Sequence, residues 1–169
     1  MERGRVRASV AAVVLTVAVG VASAAGANVV GPDQGCTPGY WKNHTESWQE
    51  YTATTKLQSL FTIPANLASF RTETMLDALQ GGGGPGLTGA VTILVRAAAA
   101  AYLNAAHDGV GFPLRRSLPS PYAPWSSDPR FAAGMRGAVS NALASGDRTT
   151  ILDLATVLDD ANNLGCPLN

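Results

Sequence analysis

The chain of 169 residues carries 12 basic and 12 acidic side chains, has a formal net charge of zero and is 46% hydrophobic, enough for one domain with a real core. No stretch gathers lysine and arginine into a stripe. That pattern excludes nucleic acid and anionic membrane surfaces as partners, because phosphate contacts need clustered cations.

The first predicted element is a secretory leader over residues 1–24. Arg3, Arg5 and Arg7 form a basic start, Ala8 to Val21 is apolar apart from Ser9, Thr16 and Gly20, and small residues follow. Ala22-Ser23-Ala24 and Ala25-Gly26-Ala27 both satisfy the small-x-small rule, so cleavage is expected after residue 24 or 27. An uncleaved anchor is the rival reading, since about 20 apolar residues span a bilayer, but alanine and glycine make this stretch weakly hydrophobic. Once the leader is removed no membrane span is expected, and residues 28–169 read as a single secreted helical domain. The exported part retains nine basic and eleven acidic residues, a net charge of −2.

Cys36 and Cys166 are the only cysteines. In an exported chain each has one possible partner, so a disulfide joining the N- and C-terminal segments is expected. A reactive or metal-binding thiol pair is the alternative, without a Cys-x-x-Cys spacing or adjacent histidine to support it.

Helix signals dominate the remainder. Asn43, three residues before Glu46, is read as opening a short helix that carries Trp48 and Tyr51. A second short helix is predicted over residues 72–80, with Met75, Leu76 and Leu79 on one side, stopping at the glycine run Gly81 to Gly84. Thr88 is read as the cap of the longest helix, Gly89 to His107, whose five consecutive alanines and flanking valines, leucines and isoleucine leave no polar face; such a helix belongs at the centre of a bundle. Its polar residues Arg96, Tyr102 and Asn104 must therefore find partners or reach the rim.

Residues 108–127 form a long irregular connection with four prolines and interleaved Phe112, Tyr122 and Trp125, and connections of this length are either functional or packed down by their own aromatics. Asp128-Pro129 reads as the start of an amphipathic helix that buries Phe131, Met135, Ala138, Val139 and Ala142 and ends at Gly146. The final helix is predicted over residues 149–164 with Ile151, Leu154, Ala155, Leu158 and Ala161 inward. Gly165 suits a left-handed cap. The fold class is thus all-α, a small helical bundle around a central Ala-rich helix with long irregular loops and one terminal disulfide.

The run Cys36-Thr-Pro-Gly-Tyr-Trp-Lys-Asn-His44, the stretch Met75 to Gly84, the Ala98 to Ala106 segment and the ending Asn162-Asn163-Leu164-Gly165-Cys166-Pro167-Leu168 together resemble a family of secreted and cell-surface proteins of uncharacterised activity. The resemblance covers essentially the whole exported chain. It implies extracellular placement and supports the cysteine pairing, and it supplies no catalytic residue or cofactor.

Candidate chemistry is sparse. His44 and His107 are the only histidines, and neither has the helical i, i+3 or i, i+4 partner of a zinc site, so no metal and no cofactor are expected. Arg96 is read as pairing with one of Asp153, Asp159 or Asp160, and Asn104, Asn162 and Asn163 as structural polar residues. Tyr40, Trp41, Lys42, Asn43, His44 and Trp48 are the candidate binding residues; the alternative is that these rings seal the N-terminal segment onto the bundle beside the disulfide. The leading functional reading is a non-catalytic secreted or cell-envelope module that binds a cell-wall polymer, a carbohydrate or a surface protein through this run or through the proline-rich connection. A self-assembling surface subunit and an enzyme with a site near Lys42, Asn43 and His44 are the alternatives.

Overall fold

The axis of the fold is the alanine-rich helix. In this computed structural model, which describes residues 33–169, it spans Gly86–Ala106 and is designated α4. The predicted leader and its cleavage points lie outside the described residues. Ala97, Ala98, Ala99, Ala100 and Ala101 are all buried, and their short side chains leave room for neighbouring backbones to approach. The principal helix-helix contact of the domain, α4 against the last helix, uses that room.

Around this axis lie α1 (Pro38–Asn43), α2 (Leu57–Leu60), α3 (Met75–Gln80), α5 (Gly134–Ser145) and α6 (Arg148–Asn162), with 3-10 turns at Thr45–Ser47, Ala65–Arg71, Trp125–Ser127 and Pro129–Phe131. Among the described residues no strand forms beyond two isolated antiparallel bridges, Gly35 with Gly165 and Lys56 with Thr74. The all-α class holds, and the Cys36–Cys166 disulfide joins the two ends across a sequence separation of 130. By length and composition α4 would also pass for a membrane-crossing helix, but here α1, α3, α5 and α6 pack around it.

Several boundaries differ from expectation, each for a local reason. The opening helix begins at Pro38 rather than after Asn43, because the Thr37 hydroxyl accepts the Tyr40 N–H and proline occupies the first helical position. Trp48 and Tyr51 therefore lie beyond it, in irregular chain. α3 carries a complete capping box between Thr74 and Asp77, so it starts at Met75 instead of residue 72. Its inward residues include Ala78, with Leu76 only half-buried. α4 starts three residues before the expected Gly89, after an extended Pro85, and Thr88 falls inside its first turn.

The Asp128-Pro129 signal opens only a single 3-10 turn. The helix proper waits until Gly134, where φ is +68°, a conformation that costs a side-chain-bearing residue about 1–2 kcal/mol. A Cβ there would also stand 2.7 Å from Leu118 N and 2.8 Å from Arg116 O. The next two amides, Met135 N–H and Arg136 N–H, donate to the carbonyls of Arg115 and Arg116 at 2.9 and 2.8 Å. Gly134 thus lets the first turn of α5 dock onto the long connection. Gly134→Ala is expected to lower stability by about 2 kcal/mol, measured as a loss in the urea unfolding midpoint; a neutral substitution would show that this docking is dispensable.

The buried residues match expectation: Phe131 in the 3-10 turn, Met135, Ala138, Val139 and Ala142 on α5, and Ile151, Leu154, Ala155, Leu158 and Ala161 on α6. Gly146 adopts the left-handed cap, φ +63°. α6 ends at Asn162, earlier than predicted, and Asp147 caps its start. Gly165, at φ +115°, serves the bridge to Gly35 instead of capping a helix.

Candidate functional site

At the disulfide end, the aromatic run closes the domain. Trp41 is completely buried and its indole Nε1–H donates to Asn104 Oδ1 at 3.0 Å. Trp48 is half-buried and donates its own indole N–H to the Trp41 carbonyl at 2.9 Å. Tyr40 donates its hydroxyl to the Leu168 carbonyl at 3.4 Å and stacks on His44 with centroids 4.4 Å apart. Of the two readings of this run, Trp41 follows the sealing one, since a ring without exposed surface cannot stack on a ligand. Lys42, Asn43 and His44 are exposed, and His44 pairs with Glu46 through Nδ1 at 3.2 Å. Both effects of that position, a backbone hydrogen bond first and the His44 contact second, hold the Glu46 carboxyl below its ordinary range.

The buried polar residues form a hub on Asn104. Its Oδ1 accepts from Cys36 N–H at 2.8 Å as well as from Trp41, and its Nδ2 donates to the Cys36 carbonyl at 2.8 Å and to Asn162 Oδ1 at 2.9 Å. Asn162 completes the chain by donating to the Ala97 carbonyl at 2.9 Å. Nearby Gly35 must be glycine, because a Cβ would lie 2.2 Å from the Ala161 carbonyl oxygen. Asn104 and Asn162 thus tie the N-terminal segment to α4 and α6. Asn163 is exposed and donates to the Asp159 carbonyl at 2.7 Å.

Arg96 corrects its expectation. It reaches the Gly81 carbonyl at 3.4 Å and forms no ion pair with Asp153, Asp159 or Asp160. Its guanidinium thus meets the first glycine of the run that follows α3. With Lys42, Thr37, Asp159 and Asn163 it borders a hollow of about 270 Å³. Among the described residues no group of three or more His, Cys, Asp or Glu is arranged to hold a metal ion.

A larger feature lies elsewhere. A groove of about 780 Å³ opens between the Glu50–Ser59 segment, the C-terminal half of α4 and the long connection, with α5 closing one side. Val110, Phe112 and Leu114 anchor the connection in the core. Buried Ser120 staples it, donating to the Pro113 carbonyl at 2.5 Å and accepting the Tyr122 N–H at 3.2 Å. Leu118 and Tyr122 are left on the rim with 59% and 41% of their surface exposed, a large apolar and an aromatic side chain in the open.

Arg116 ties the two walls. Its guanidinium donates to both Glu50 carboxylate oxygens, at 2.6 and 3.0 Å, and to the Tyr51 hydroxyl at 2.8 Å, while lying 5.7 Å from the Tyr51 ring centroid. The Glu50 hydrogen bonds raise the Arg116 pKa still further, so its guanidinium stays charged at every ordinary pH. Glu50 is also the one non-glycine residue among those described with positive φ, at 61°. Strained backbone of this kind persists where surrounding contacts over-determine it, and it gathers at binding and catalytic sites.

At the floor, Tyr102 is 3% exposed and its ring packs edge-on against Phe61 with centroids 5.0 Å apart. Burial, then the neighbouring Tyr51, pushes its phenol pKa up, which keeps the hydroxyl neutral. Arg136 lines the α5 side and donates to the Ser59 carbonyl at 3.1 Å.

Sequence reasoning raised the proline-rich connection, with Phe112 and Tyr122, as a binding element but named none of Glu50, Arg115, Arg116 and Arg136. Their signal was absent from local pattern: Arg116 meets Glu50 across 66 positions. The fold and this site define an all-α, disulfide-closed domain with an open, partly polar groove. Comparison with family models, with curated proteins and with solved structures finds no match for the chain.

Proposed function

We propose that this chain is a non-catalytic module of the extracellular space or cell envelope that binds a surface polymer, a carbohydrate or a protein partner in the groove beneath the long connection. The observation that carries this reading is the groove itself, about 780 Å³ with Leu118 and Tyr122 exposed on its rim, in the size range of sites that enclose ligands. The groove's own carboxylate, Glu50, is engaged by Arg116 and serves as a strut rather than as a free acid or base. Among the described residues Glu73 is the carboxyl whose pKa is raised, by burial first and by the Asp77 charge second, and it does not line the groove. Placement outside the cell rests on the leader pattern of residues 1–24, and a disulfide is consistent with an oxidising compartment.

Retention on isolated cell-wall polysaccharide and on a glycan array tests the reading. Tyr122→Ala and Leu118→Ser sit on the exposed rim and are expected to lower retention at least ten-fold with unfolding midpoints unchanged. If both variants are retained like the parent while Lys42→Ala or Asn43→Ala is lost, binding belongs to α1 and the groove assignment falls.

A further inference from the structure

We propose that the groove recognises an anionic glycan, with Arg115 and Arg136 holding its acidic groups and the Tyr102 hydroxyl bonding a sugar hydroxyl at the floor. The inference rests on the binding reading above and specifies the ligand's chemistry.

Charge distribution gives the first argument. Residues 33–169 carry nine Lys and Arg against eleven Asp and Glu, a net charge of −2. The groove inverts that balance: Arg115, Arg116 and Arg136 line it against the single carboxylate of Glu50. Glu50 is consumed by Arg116, so the clamp is neutral as a unit. Arg115 and Arg136 have no carboxylate within ion-pair distance among the described residues. Two arginines without an ion-pair partner lining one cavity in an otherwise acidic molecule suit a carboxylate or a phosphate, whose planar or tetrahedral oxygens match the guanidinium fork.

The floor gives the second. The Tyr102 side chain is 97% buried by its neighbours, yet its hydroxyl has no hydrogen-bond partner among the described residues. Side-chain nitrogen and oxygen atoms sealed from solvent in this fold all have partners. The Tyr102 hydroxyl is therefore not sealed, and the groove it lines is where it opens. A hydroxyl open to the groove floor can exchange its solvent contact for a bond to a ligand's hydroxyl.

Peptide partners fit less well. Among the described residues there is no strand edge for an extended peptide to join, and the mixed polar lining is unlike the apolar trough that receives an amphipathic helix. The exposed Tyr122 ring on the rim instead offers a flat face to the C–H side of a sugar.

Calorimetric titration of the intact disulfide-bonded chain tests this with four probes of matched length: an oligouronate, a glycerol-phosphate oligomer, a neutral gluco-oligosaccharide and oligoglutamate. One of the two anionic glycopolymers is expected to bind at least ten-fold more tightly than the neutral oligosaccharide, and to weaken steeply between low and high salt. Whichever of the two binds more tightly names the anion as carboxylate or phosphodiester. Arg115→Gln with Arg136→Gln is expected to abolish the preference for charge and flatten the salt dependence. Tyr102→Phe, which removes only the hydroxyl oxygen, is expected to weaken binding several-fold with the salt dependence unaltered. Equal binding of the neutral oligosaccharide would overturn the anionic assignment while leaving the binding reading intact. Tighter binding of oligoglutamate would overturn it in favour of an acidic protein, and binding of none of the four, together with unchanged cell-wall retention of the rim variants, would overturn both.

Discussion

Replacing Asn104 with alanine is expected to destabilise the domain by about 4 kcal/mol, at about 1 kcal/mol for each of the four hydrogen bonds its amide makes. That is a large share of the 5–15 kcal/mol typical of a whole domain. The loss is severe because the four partners, Cys36 N–H, Cys36 C=O, the Trp41 indole and Asn162 Oδ1, stay buried and lose their bonds together. Asn162→Ala removes two bonds, one of them shared with Asn104. The double variant should therefore cost less than the sum of the two single ones, by about the worth of that shared bond. Urea unfolding of all four proteins checks both statements. An Asn104→Ala protein within about 1 kcal/mol of the parent would show that the termini are held by packing alone.

Loss of the disulfide is the second large effect. Closing a loop with a sequence separation of 130 removes chain entropy from the unfolded state worth about 5 kcal/mol in the loop-closure description, an upper figure because strain and residual structure subtract from it. Cys36→Ala with Cys166→Ala is the cleaner probe, since serine would place a hydroxyl at the fully buried position 36. The double variant is expected to lose several kcal/mol and to free the Gly35–Gly165 bridge, read as accelerated amide exchange at Gly35. Because Cys36 is also gripped by Asn104, the two perturbations share a target. Combining Asn104→Ala with cysteine removal should detach residues 33–41 from the bundle, exposing Trp41 and red-shifting its fluorescence. A blue, buried indole in that variant would refute the shared role.

How much of this was legible before the fold depended on the distance over which each feature is encoded. The inward stripes of α5 and α6 could be read residue by residue, since a helix that buries one face repeats its apolar residues every three or four positions. The central place of α4 followed from its apolar circumference. The Thr74–Asp77 box sat in view, yet the helix was expected from residue 72, three residues early, and Thr37-Pro38 was passed over in favour of Asn43 although threonine before proline is an equally plain start signal. The Asp128-Pro129 signal was real but was outcompeted: the amides that should have continued the helix bond the carbonyls of Arg115 and Arg116, and the helix restarts at Gly134.

The candidate site was legible only in outline. The aromatic run drew attention because four large rings lie within twelve residues, yet such density marks a sealed terminus as readily as a binding face, and Trp41 went inward to meet Asn104. No short-range pattern sets the Arg115-Arg116 pair apart. Arg116 became a clamp only by meeting Glu50 and Tyr51 across more than 60 positions, and Tyr102 became a groove floor only because the long connection folded back past it.

By itself, then, the order of residues determined the helical class, the buried stripe of each long helix and the single available cysteine pairing, because each follows from short-range periodicity or from counting. Tertiary structure alone decided which polar atoms meet at Asn104, which arginine is neutralised and which two are left facing the groove. Those outcomes depend on how loops dock against helices through hydrogen bonds between residues 58 to 78 apart, and no local pattern carries that information.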